Sequence, residues 1–551
     1  MTASKQLLAA TAALVGVRTG LALLRIGPEN VADEIGYLSN ARLLAGGVPG
    51  QMVWAPFYHG GYSLLIAPLI RLGFGPVLTY RLILAMNAVL AASLLPLLYL
   101  LLTRSFALPA RAAFWVALAA AAYPSVTVWS QMAMPENLLA PLTVVWLLLF
   151  GALLRTRGQA ASVLCAVGVA GVAAAAWAAH GRMFILVPLT VIALLTLAVR
   201  GRLGTLAFAS AVACLVAGVF AAQRFEAFLI AENYAGREFH EFTRPIAAIA
   251  SLQGIGAVAR NLVGHTWYLL VATLGLVALF LAAEGFPRLL QGVRRDAEEA
   301  DVIVLLVLAT TAGLLAVSVM SFPVLGRSHH LIYGRYLDPV VPALLAVSFA
   351  RLMTVERLPR LRWLLTGLAL LTVAVAALRA ASSSTGAQRQ HVASLPFVTD
   401  DLAPWVLVSA GAVAAAAIGL FGFLARNRRT ALAPVTLGLF TLVAAYSENE
   451  AVLATQRSLY SPEWTSPRDA AETYRMRHVA YDMDHLDRTG VWIYQWFLPH
   501  TRVVRFWGSR ERPPARHVIS SKSWQREHPG DSATVLWVDP ARDQALWRLS
   551  R

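Results

Sequence analysis

The stretch Asn30–Gly47, NVADEIGYLSNARLLAGG, follows the first long apolar run of the chain and is too short to cross a bilayer. Its apolar and polar residues alternate in an amphipathic pattern, which predicts a helix lying in the membrane interface. Two adjacent carboxylates, Asp33 and Glu34, open this stretch in a chain with only 30 acidic residues among 551. The stretch therefore places scarce acids directly beside a membrane span.

The composition is that of a polytopic membrane protein. Hydrophobic residues make up 58% of the chain and charged residues 14%, with a mean hydropathy of +0.61. In a soluble protein the formal charge of +16 would suggest a nucleic-acid partner. Here the arginines cluster in short loops between apolar runs, as the positive-inside rule expects, so no nucleic acid is predicted. Cys165 and Cys214 lie inside apolar runs and indicate neither a disulfide framework nor a metal site.

The apolar runs predict about thirteen transmembrane helices, each near the length needed to cross a bilayer. We interpret the first run as an uncleaved span rather than a signal peptide, because many further spans follow it. With the N-terminus in the cytoplasm, the alternate arginine-rich loops face the cytoplasm, which predicts a multi-pass protein of the cytoplasmic membrane. The predicted spans are residues 7–26, 76–102, 112–130, 137–154, 160–179, 183–199, 204–222, 265–283, 302–321, 336–352, 362–380, 402–424 and 431–446.

The composition changes near the C-terminus, which an odd number of spans places outside the cytoplasm. From about residue 447 long apolar runs stop, and short β-like runs appear between Pro, Gly and charged turns. These runs are VWIYQWFL, TRVVRFW, ARHVIS and ATVLWVD. The sequence therefore predicts an all-α transmembrane domain, residues 1–446, and a small extracytoplasmic α/β domain, residues 447–551.

The predicted first outer loop, residues 27–75, contains two amphipathic stretches around the aromatic segment WAPFYHGG. In the first stretch Asp33, Tyr37 and Asn40 recur at helical spacing and share one face, whereas Glu34 points about 100° away. The two carboxylates therefore cannot do the same job from a regular helix. Asp33 fits a helix N-cap and also a general base for a hydroxyl, and the two roles are compatible.

The segments ADEIGYLSNARLLAGG and FYHGGYSLLIAPL, with the span after them, resemble the start of a GT-C glycosyltransferase. The similarity is to the bacterial branch that includes relatives of protein O-mannosyltransferases and the aminoarabinose transferase of lipid A. That branch carries an Asp-Glu-x-x-Tyr pattern in its first outer loop, matched by Asp33, Glu34 and Tyr37. It often has His-Pro-Pro before the second stretch, where this chain has His59 and two glycines.

This resemblance implies a reaction at the outer membrane surface. A sugar arrives on a polyprenyl phosphate, an acceptor hydroxyl attacks the anomeric carbon, and the lipid phosphate leaves with inversion. Asp33 is the implied general base and Glu34 the reserve. No cofactor is required, and a divalent cation shared by Asp33, Glu136 and the donor phosphate is an open alternative. The acceptor stays open between lipid, envelope glycan and protein.

Further predicted outer loops add candidates for the donor site. Glu136 begins a span where the family often has a second acid, although an acid at a helix N-terminus has the same position. His180 and Arg182 lie in a very short turn, where Arg182 suits a phosphate as well as a snorkelling role.

The densest polar cluster of the predicted outer loops is GRSHHLIYGRYLDPVVP, which precedes a span. The family's Arg-Tyr-x-x-Pro element is matched by Arg335, Tyr336 and Pro339, so Arg335 is expected to hold the phosphate. The spacing of the SHH histidines indicates no zinc site. The predicted donor-binding set is Tyr37, His59, His180, Arg182, His330, Tyr333, Arg335 and Tyr336, and the predicted catalytic acids are Asp33, Glu34 and Glu136.

Two other classes of function compete with a transferase. A transporter or flippase places charges and broken helices in the middle of the membrane. This chain instead places its acids and most candidate arginines in predicted outer loops, which favours chemistry on a lipid-linked substrate. A noncatalytic scaffold with the same fold is a third alternative. A long outer loop, residues 223–264, is predicted to gate the acceptor cleft or to be a plain solvated loop.

Overall fold

Long helices dominate the chain as far as Arg426, and a five-stranded sheet follows, in a computed structural model of the 551 residues. The structure describes residues 3–29, 31–52, 55–239, 249–289, 291–294, 297–322, 326–354, 361–384, 389–395, 402–426, 438, 453–460, 467–487, 490–528, 532–539 and 542–550. The helices of the first part are α1 Ala3–Ala22, α2 Val31–Leu44, α3 Gly60–Arg71, α4 Pro76–Ala92, α5 Leu94–Ser105, α6 Ala110–Ala121, α7 Pro124–Trp129, α8 Glu136–Arg155, α9 Gln159–Ala179, α10 Leu186–Val199, α11 Thr205–Asn233, α12 Leu252–Ala272, α13 Leu276–Leu289, α14 Glu299–Met320, α15 Val341–Leu352, α16 Leu361–Ala380 and α17 Pro404–Arg426.

The described helices confirm a multi-pass membrane architecture. Eight helical segments of the described chain are long and apolar enough to cross a membrane, or nine if the bent pair α12 and α13 forms one span. The shorter apolar helices α6 and α15 lie among them. The predicted last span, residues 431–446, lies outside the described residues except for residue 438. The count of about thirteen spans therefore stays a prediction.

Loops that the sequence assigns to opposite membrane faces also meet different partners in the structure. Among the arginine-rich loops, Arg200 donates a hydrogen bond of 2.9 Å to the carbonyl oxygen of Arg294. The first loop instead meets the C-terminal part, because Arg42 donates to the carbonyl oxygen of Gln495 at 2.6 Å. The first loop and the C-terminal part therefore share one end of the helical body. Which membrane face this end occupies stays a prediction.

The first loop contains the two expected helices, α2 and α3. Because α2 begins at Val31, Asp33 is its third residue, so the N-cap interpretation of Asp33 is wrong. The shared face is present: the Tyr37 ring packs edge-to-face on Tyr58 at 5.3 Å, and Asn40 Nδ2 donates to the Tyr58 carbonyl oxygen at 2.7 Å. Most of α2 is buried rather than spread on an interface, because α3 and the C-terminal part both pack against it.

The loop predicted over residues 223–264 is shorter in the structure. Helix α11 continues past the predicted end of its span at residue 222 and ends at Asn233, and α12 begins at Leu252. The segment QRFEAFLIAEN contains no Gly or Pro, so nothing in it breaks a helix. Asn233 also gains a partner there, because its Nδ2 donates to Asn40 Oδ1 at 2.7 Å. Residues 240–248 of the remaining connection lie outside the described residues.

The C-terminal part folds around a mixed sheet, as expected for a small α/β domain. The strands are β1 His478–Asp482, β2 Arg502–Phe506, β3 His517–Ser520, β4 Ala533–Asp539 and β5 Gln544–Leu549. Their order in the sheet is β2-β1-β3-β5-β4, with β1 parallel to β2 and β3, and β5 antiparallel to β3 and β4. The domain boundary predicted at residue 447 lies outside the described residues.

One predicted strand is wrong, because the run VWIYQWFL forms the helix Gly490–Phe497. Tyr494 on this helix packs into the core of the sheet. Ile493 and Trp496 pack into the core that contains α2. A helix buried on both sides is apolar all round, and its short apolar run cannot be told from a buried strand by periodicity.

Candidate active site

Four charged side chains from four separate segments form one chain of ion pairs, here named the charged cluster: Asp33, Arg335, Glu136 and Arg182. Arg335 pairs through Nη1 with Asp33 Oδ2, and its Nε donates to Glu136 Oε1 at 2.6 Å. Arg182 Nη2 donates to the same Glu136 oxygen at 2.9 Å. The fold thus gathers residues from the first helix of the loop, the start of α8, a short turn after α9 and the loop before α15.

The charged cluster is balanced and largely buried. The side chains of Arg182, Glu136 and Arg335 are 1%, 2% and 5% exposed, and that of Asp33 is 22% exposed. Burial lowers the pKa of Arg335, but the charges of Glu136 and Asp33 outweigh this and hold its pKa well above its ordinary value. Two acids therefore face two permanent cations, and Asp33 is the member of the cluster with the most access to solvent.

Both oxygens of Asp33 are held by hydrogen bonds. Tyr58 donates its hydroxyl proton to Asp33 Oδ1 at 2.8 Å, while Arg335 holds Oδ2. Burial, with the charge of Asp33, raises the pKa of Tyr58 well above its ordinary value, so this phenol is a donor at neutral pH. Sequence reasoning missed Tyr58, because a contact across 25 residues of loop leaves no periodic signal.

Glu34 has a different environment from Asp33 and is fully buried. Its Oε1 accepts from the backbone N–H of Glu29 at 2.7 Å. Its Oε2 accepts from the Tyr80 hydroxyl at 2.6 Å and from the backbone N–H of Ala133 at 2.7 Å. Glu34 thereby connects α2 to α4 and to the segment before α8. This geometry suits an anchor of the site, and it does not favour the reserve base that the resemblance implied.

The indole ring of Trp129 packs against the guanidinium group of Arg335. The guanidinium carbon lies 5.2 Å from the centre of the Trp129 ring, and Trp129 Nε1 donates to Asp338 Oδ2 at 2.7 Å. A cation over an indole face gains from the ring quadrupole, most of all where both are desolvated. Trp129 lies in an apolar run of the sequence, so no signal there distinguished it from a core residue.

A row of rings runs outward from the charged cluster. Arg182 lies 5.2 Å over the Tyr336 ring. From Tyr336 the row continues on one side to His180 at 6.2 Å and then to His59, 6.1 Å from His180. On the other side, centroid distances of 5.3, 4.5 and 4.5 Å connect Tyr336, Tyr333, Phe322 and His330 in turn. Apolar faces with polar edges suit an amphipathic ligand.

The imidazoles nearest the charged cluster have defined partners. His180 Nδ1 accepts from the backbone N–H of Arg182 at 3.2 Å. Burial, with the charges of Arg182 and Arg335, lowers the pKa of His180 well below its ordinary value, so the ring is neutral at pH 7. His59 Nδ1 lies 2.5 Å from Glu226 Oε1, a partner on the extension of α11 that the sequence did not predict. The structure thus gathers the predicted donor-binding residues around the charged cluster.

His329 is expected to make the stability of the protein depend on pH. It stacks on His391 at 4.9 Å, and burial, with the charges of His330 and Arg327, lowers its pKa to about 3. In the unfolded chain histidine binds a proton below about pH 6.5, so stability is lost as the pH falls from there toward 3. Between pH 7.5 and pH 5 the unfolding free energy of the wild type should fall. We expect the fall in His329→Gln to be smaller by roughly 2 kcal/mol.

Detergent-unfolding curves at the two pH values measure this difference. The exposed His478→Gln is the matched control, since it also removes one histidine. Equal acid sensitivity of His329→Gln and the wild type would contradict the assignment of the loss to His329.

The acids of the charged cluster are paired with arginines. Within the described ranges, no group of three or more His, Cys, Asp or Glu side chains is placed to hold a metal ion. Arg335 lies between Asp33 and Glu136 and pairs with both. A divalent cation shared with the donor phosphate stays an open alternative.

No protein-family model matches the sequence, and no curated protein matches it either. The fold is similar to that of ArnT from Cupriavidus metallidurans in the apo state, with a TM-score of 0.53 at 19% identity over 99% of this chain and 98% of that chain. ArnT from the same organism bound to undecaprenyl phosphate gives a TM-score of 0.52 at 17% identity over 98% and 97%. ArnT is a GT-C glycosyltransferase, so the fold expected from the first loop is confirmed.

Proposed function

We propose that this protein transfers a sugar from a polyprenyl-phosphate donor to an acceptor hydroxyl at the outer face of the cytoplasmic membrane. The observation that carries the proposal is the charged cluster, which joins one partly exposed carboxylate to two buried arginines beside a row of rings. The undecaprenyl phosphate bound to ArnT, a protein of the same fold, supports a polyprenyl-phosphate donor. Membrane lipids surround the helical body, and the acceptor is a lipid, an envelope glycan or a protein.

Arg182 is assigned to the leaving phosphate. Its Nη2 binds Glu136, but its buried Nε and Nη1 have no hydrogen-bond partner among the residues that the structure describes. An unsatisfied buried donor is costly, and a phosphate oxygen would satisfy it with a charge-assisted bond. The permanent charge of Arg182 would also stabilise the negative charge that grows on the leaving phosphate. Arg335 supports it from the other side of Glu136.

Asp33 is assigned to the acceptor. Its carboxylate takes the proton of the attacking hydroxyl, and the hydroxyl oxygen forms a bond to the anomeric carbon. The bond from that carbon to the phosphate oxygen breaks, and its electron pair leaves with the lipid phosphate. Attack and departure on opposite faces of the sugar invert the anomeric centre. Tyr58 and Arg335 orient the base, and Glu136 holds the two arginines.

Release of free lipid phosphate tests the proposal. Purified protein in nanodiscs would meet a panel of labelled polyprenyl-phosphate sugars, with an envelope extract as the acceptor source. We expect the wild type to release free lipid phosphate from one donor of the panel, and only when the extract is present. Folded protein that turns over no member of a broad panel, yet moves a lipid-linked sugar between leaflets, would favour the transporter or flippase alternative.

Arg182→Lys is expected to weaken donor binding. Lysine keeps the charge but loses the fork of N–H donors, so at least one charge-assisted hydrogen bond to phosphate disappears. Such a bond is worth roughly 1.5–3 kcal/mol, which is about ten- to a hundredfold in affinity. The measurement is the KM for the donor, or equilibrium binding of the unreactive polyprenyl phosphate.

The matched control is Arg157→Lys, which makes the same change in an exposed loop at the other end of the helices. An unchanged donor affinity in Arg182→Lys, with Arg157→Lys also unchanged, would remove Arg182 from the phosphate site and leave Arg335 as the candidate.

A further inference from the structure

A cavity of about 270 Å³ lies in the C-terminal part and is separate from the charged cluster. It lies between the helix Arg468–Thr473 and the turn before β2. Its ionisable lining is net cationic, with three arginines against one glutamate and a histidine beside them. These residues are Arg468, Arg475, Arg477, His500 and Glu472. Such a lining favours an anion, and the volume lies at the lower end of the range for small-molecule pockets.

Arg475 occupies a backbone position that is normally left to glycine. Its φ is +46°, in the left-handed region, at the end of the helix Arg468–Thr473. The Met476 N–H donates to the Ala471 carbonyl oxygen at 2.9 Å, and the Arg475 N–H to that of Glu472 at 3.1 Å, which closes the helix by a Schellman-type turn. A side chain is unfavourable at this position. The chain nevertheless places a cationic side chain there, in the wall of the cavity.

The cavity lies beside the first residues of a helical segment long enough to span a membrane. The Arg468 guanidinium lies beside Gly75, where an added Cβ would come within 2.9 Å of Nη1. Gly75 immediately precedes Pro76, the first residue of a helical segment long enough to span the membrane. Around this turn Leu72, Phe74 and Leu78 expose large apolar side chains, which suits contact with lipid. The arginines of the cavity are therefore within reach of lipid headgroups.

We propose that this cavity binds the phosphate of an anionic membrane phospholipid. Arginine binds phosphate through a planar fork of N–H donors, and basic clusters at a membrane surface are attracted to anionic lipid. Glu472 accepts from Arg468 Nε at 2.6 Å and so orients one arginine, while Arg475 and Arg477 provide excess positive charge. The site is distinct from the donor phosphate site assigned to Arg182, and it would fix the C-terminal part on the bilayer.

The test uses the full chain in a neutral detergent. Binding of phosphatidylglycerol, phosphatidylcholine and inorganic phosphate is measured separately by native mass spectrometry and by the shift in melting temperature. We expect phosphatidylglycerol to bind at least about tenfold more tightly than phosphatidylcholine, since each arginine near the headgroup adds to the attraction. Inorganic phosphate should bind more weakly than the lipid.

Arg475→Gly distinguishes a loss of lipid binding from a loss of folding, because it should weaken binding without lowering the melting temperature. Removing the arginine should weaken phosphatidylglycerol binding by about five- to tenfold. The melting temperature without lipid should be unchanged or higher, because glycine tolerates the left-handed backbone. Arg526→Ala, an exposed arginine elsewhere in the C-terminal part, should leave both quantities unchanged.

Three outcomes would overturn the proposal. They are equal binding of the two lipids by the wild type, unchanged phosphatidylglycerol binding in Arg475→Gly, and inorganic phosphate that binds as tightly as the lipid. The last result would assign the cavity to a soluble phosphate-bearing ligand. Because none of these measurements uses sugar transfer, they are independent of the proposed function.

Discussion

Asp33→Asn is expected to lower kcat by on the order of a hundredfold or more while KM for the donor changes little. Asparagine has nearly the same shape, and its amide oxygen can still accept from Tyr58. It cannot take a proton from an attacking hydroxyl. The fold should survive, because Arg335 keeps its 2.6 Å bond to Glu136 and the lost carboxylate is the most exposed member of the charged cluster. The measurement is release of free lipid phosphate by monodisperse protein.

The matched control for this variant is Glu232→Gln, which neutralises an exposed carboxylate near the end of α11. It should retain wild-type turnover. Full activity of Asp33→Asn would show that another group accepts the proton, and Glu136 would then be the next carboxylate to neutralise. Loss of both donor binding and folding in Asp33→Asn would instead assign Asp33 a structural role.

Local sequence patterns predicted the first loop well, because the relevant interactions are within one helix. The spacing of Asp33, Tyr37 and Asn40 requires a common face, and all three residues contact Tyr58. Adjacent positions on a helix diverge by about 100°, and Glu34 accordingly points to α4 and the segment before α8. Helical geometry alone therefore separated a partly exposed carboxylate from a buried one.

The same sequence patterns could not predict which residues form pairs across long separations in the chain. Arg335 and Glu136 are 199 residues apart, and neither residue's neighbours in sequence indicate the other. The resemblance to a family nominated both residues, but it did not indicate that Arg335 bridges two carboxylates. Trp129 and Glu226 carried no signal, because an aromatic in an apolar run and an acid in a predicted loop are both ordinary. The helix Gly490–Phe497 was mistaken for a strand because burial on both sides erased its periodicity.

The bridging position of Arg335 leads to the second large expected effect. Arg335→Met should destabilise the protein by about 3–5 kcal/mol, because it removes the cation between two acids and leaves buried charge uncompensated. Glu136 keeps Arg182 at 2.9 Å, whereas the described partners of Asp33 are reduced to the Tyr58 hydroxyl. Methionine fills a similar volume, so the effect is electrostatic rather than a cavity. Unfolding in mixed detergent micelles by SDS titration measures it.

A second substitution distinguishes charge from packing. In a Glu136→Gln background, Arg335→Met should cost much less, because the cluster then keeps one acid, Asp33, and one arginine, Arg182, and its net charge stays balanced. The coupling between the two changes is the difference between the two costs. Arg155→Met, which breaks the more exposed pair with Glu299 at the other end of the helices, should cost no more than about 1 kcal/mol. Equal costs for Arg335→Met with and without Glu136 would contradict an electrostatic origin. The arginine would then act through its packing on Trp129, and the positive charge beside the proposed donor phosphate would come from Arg182 alone.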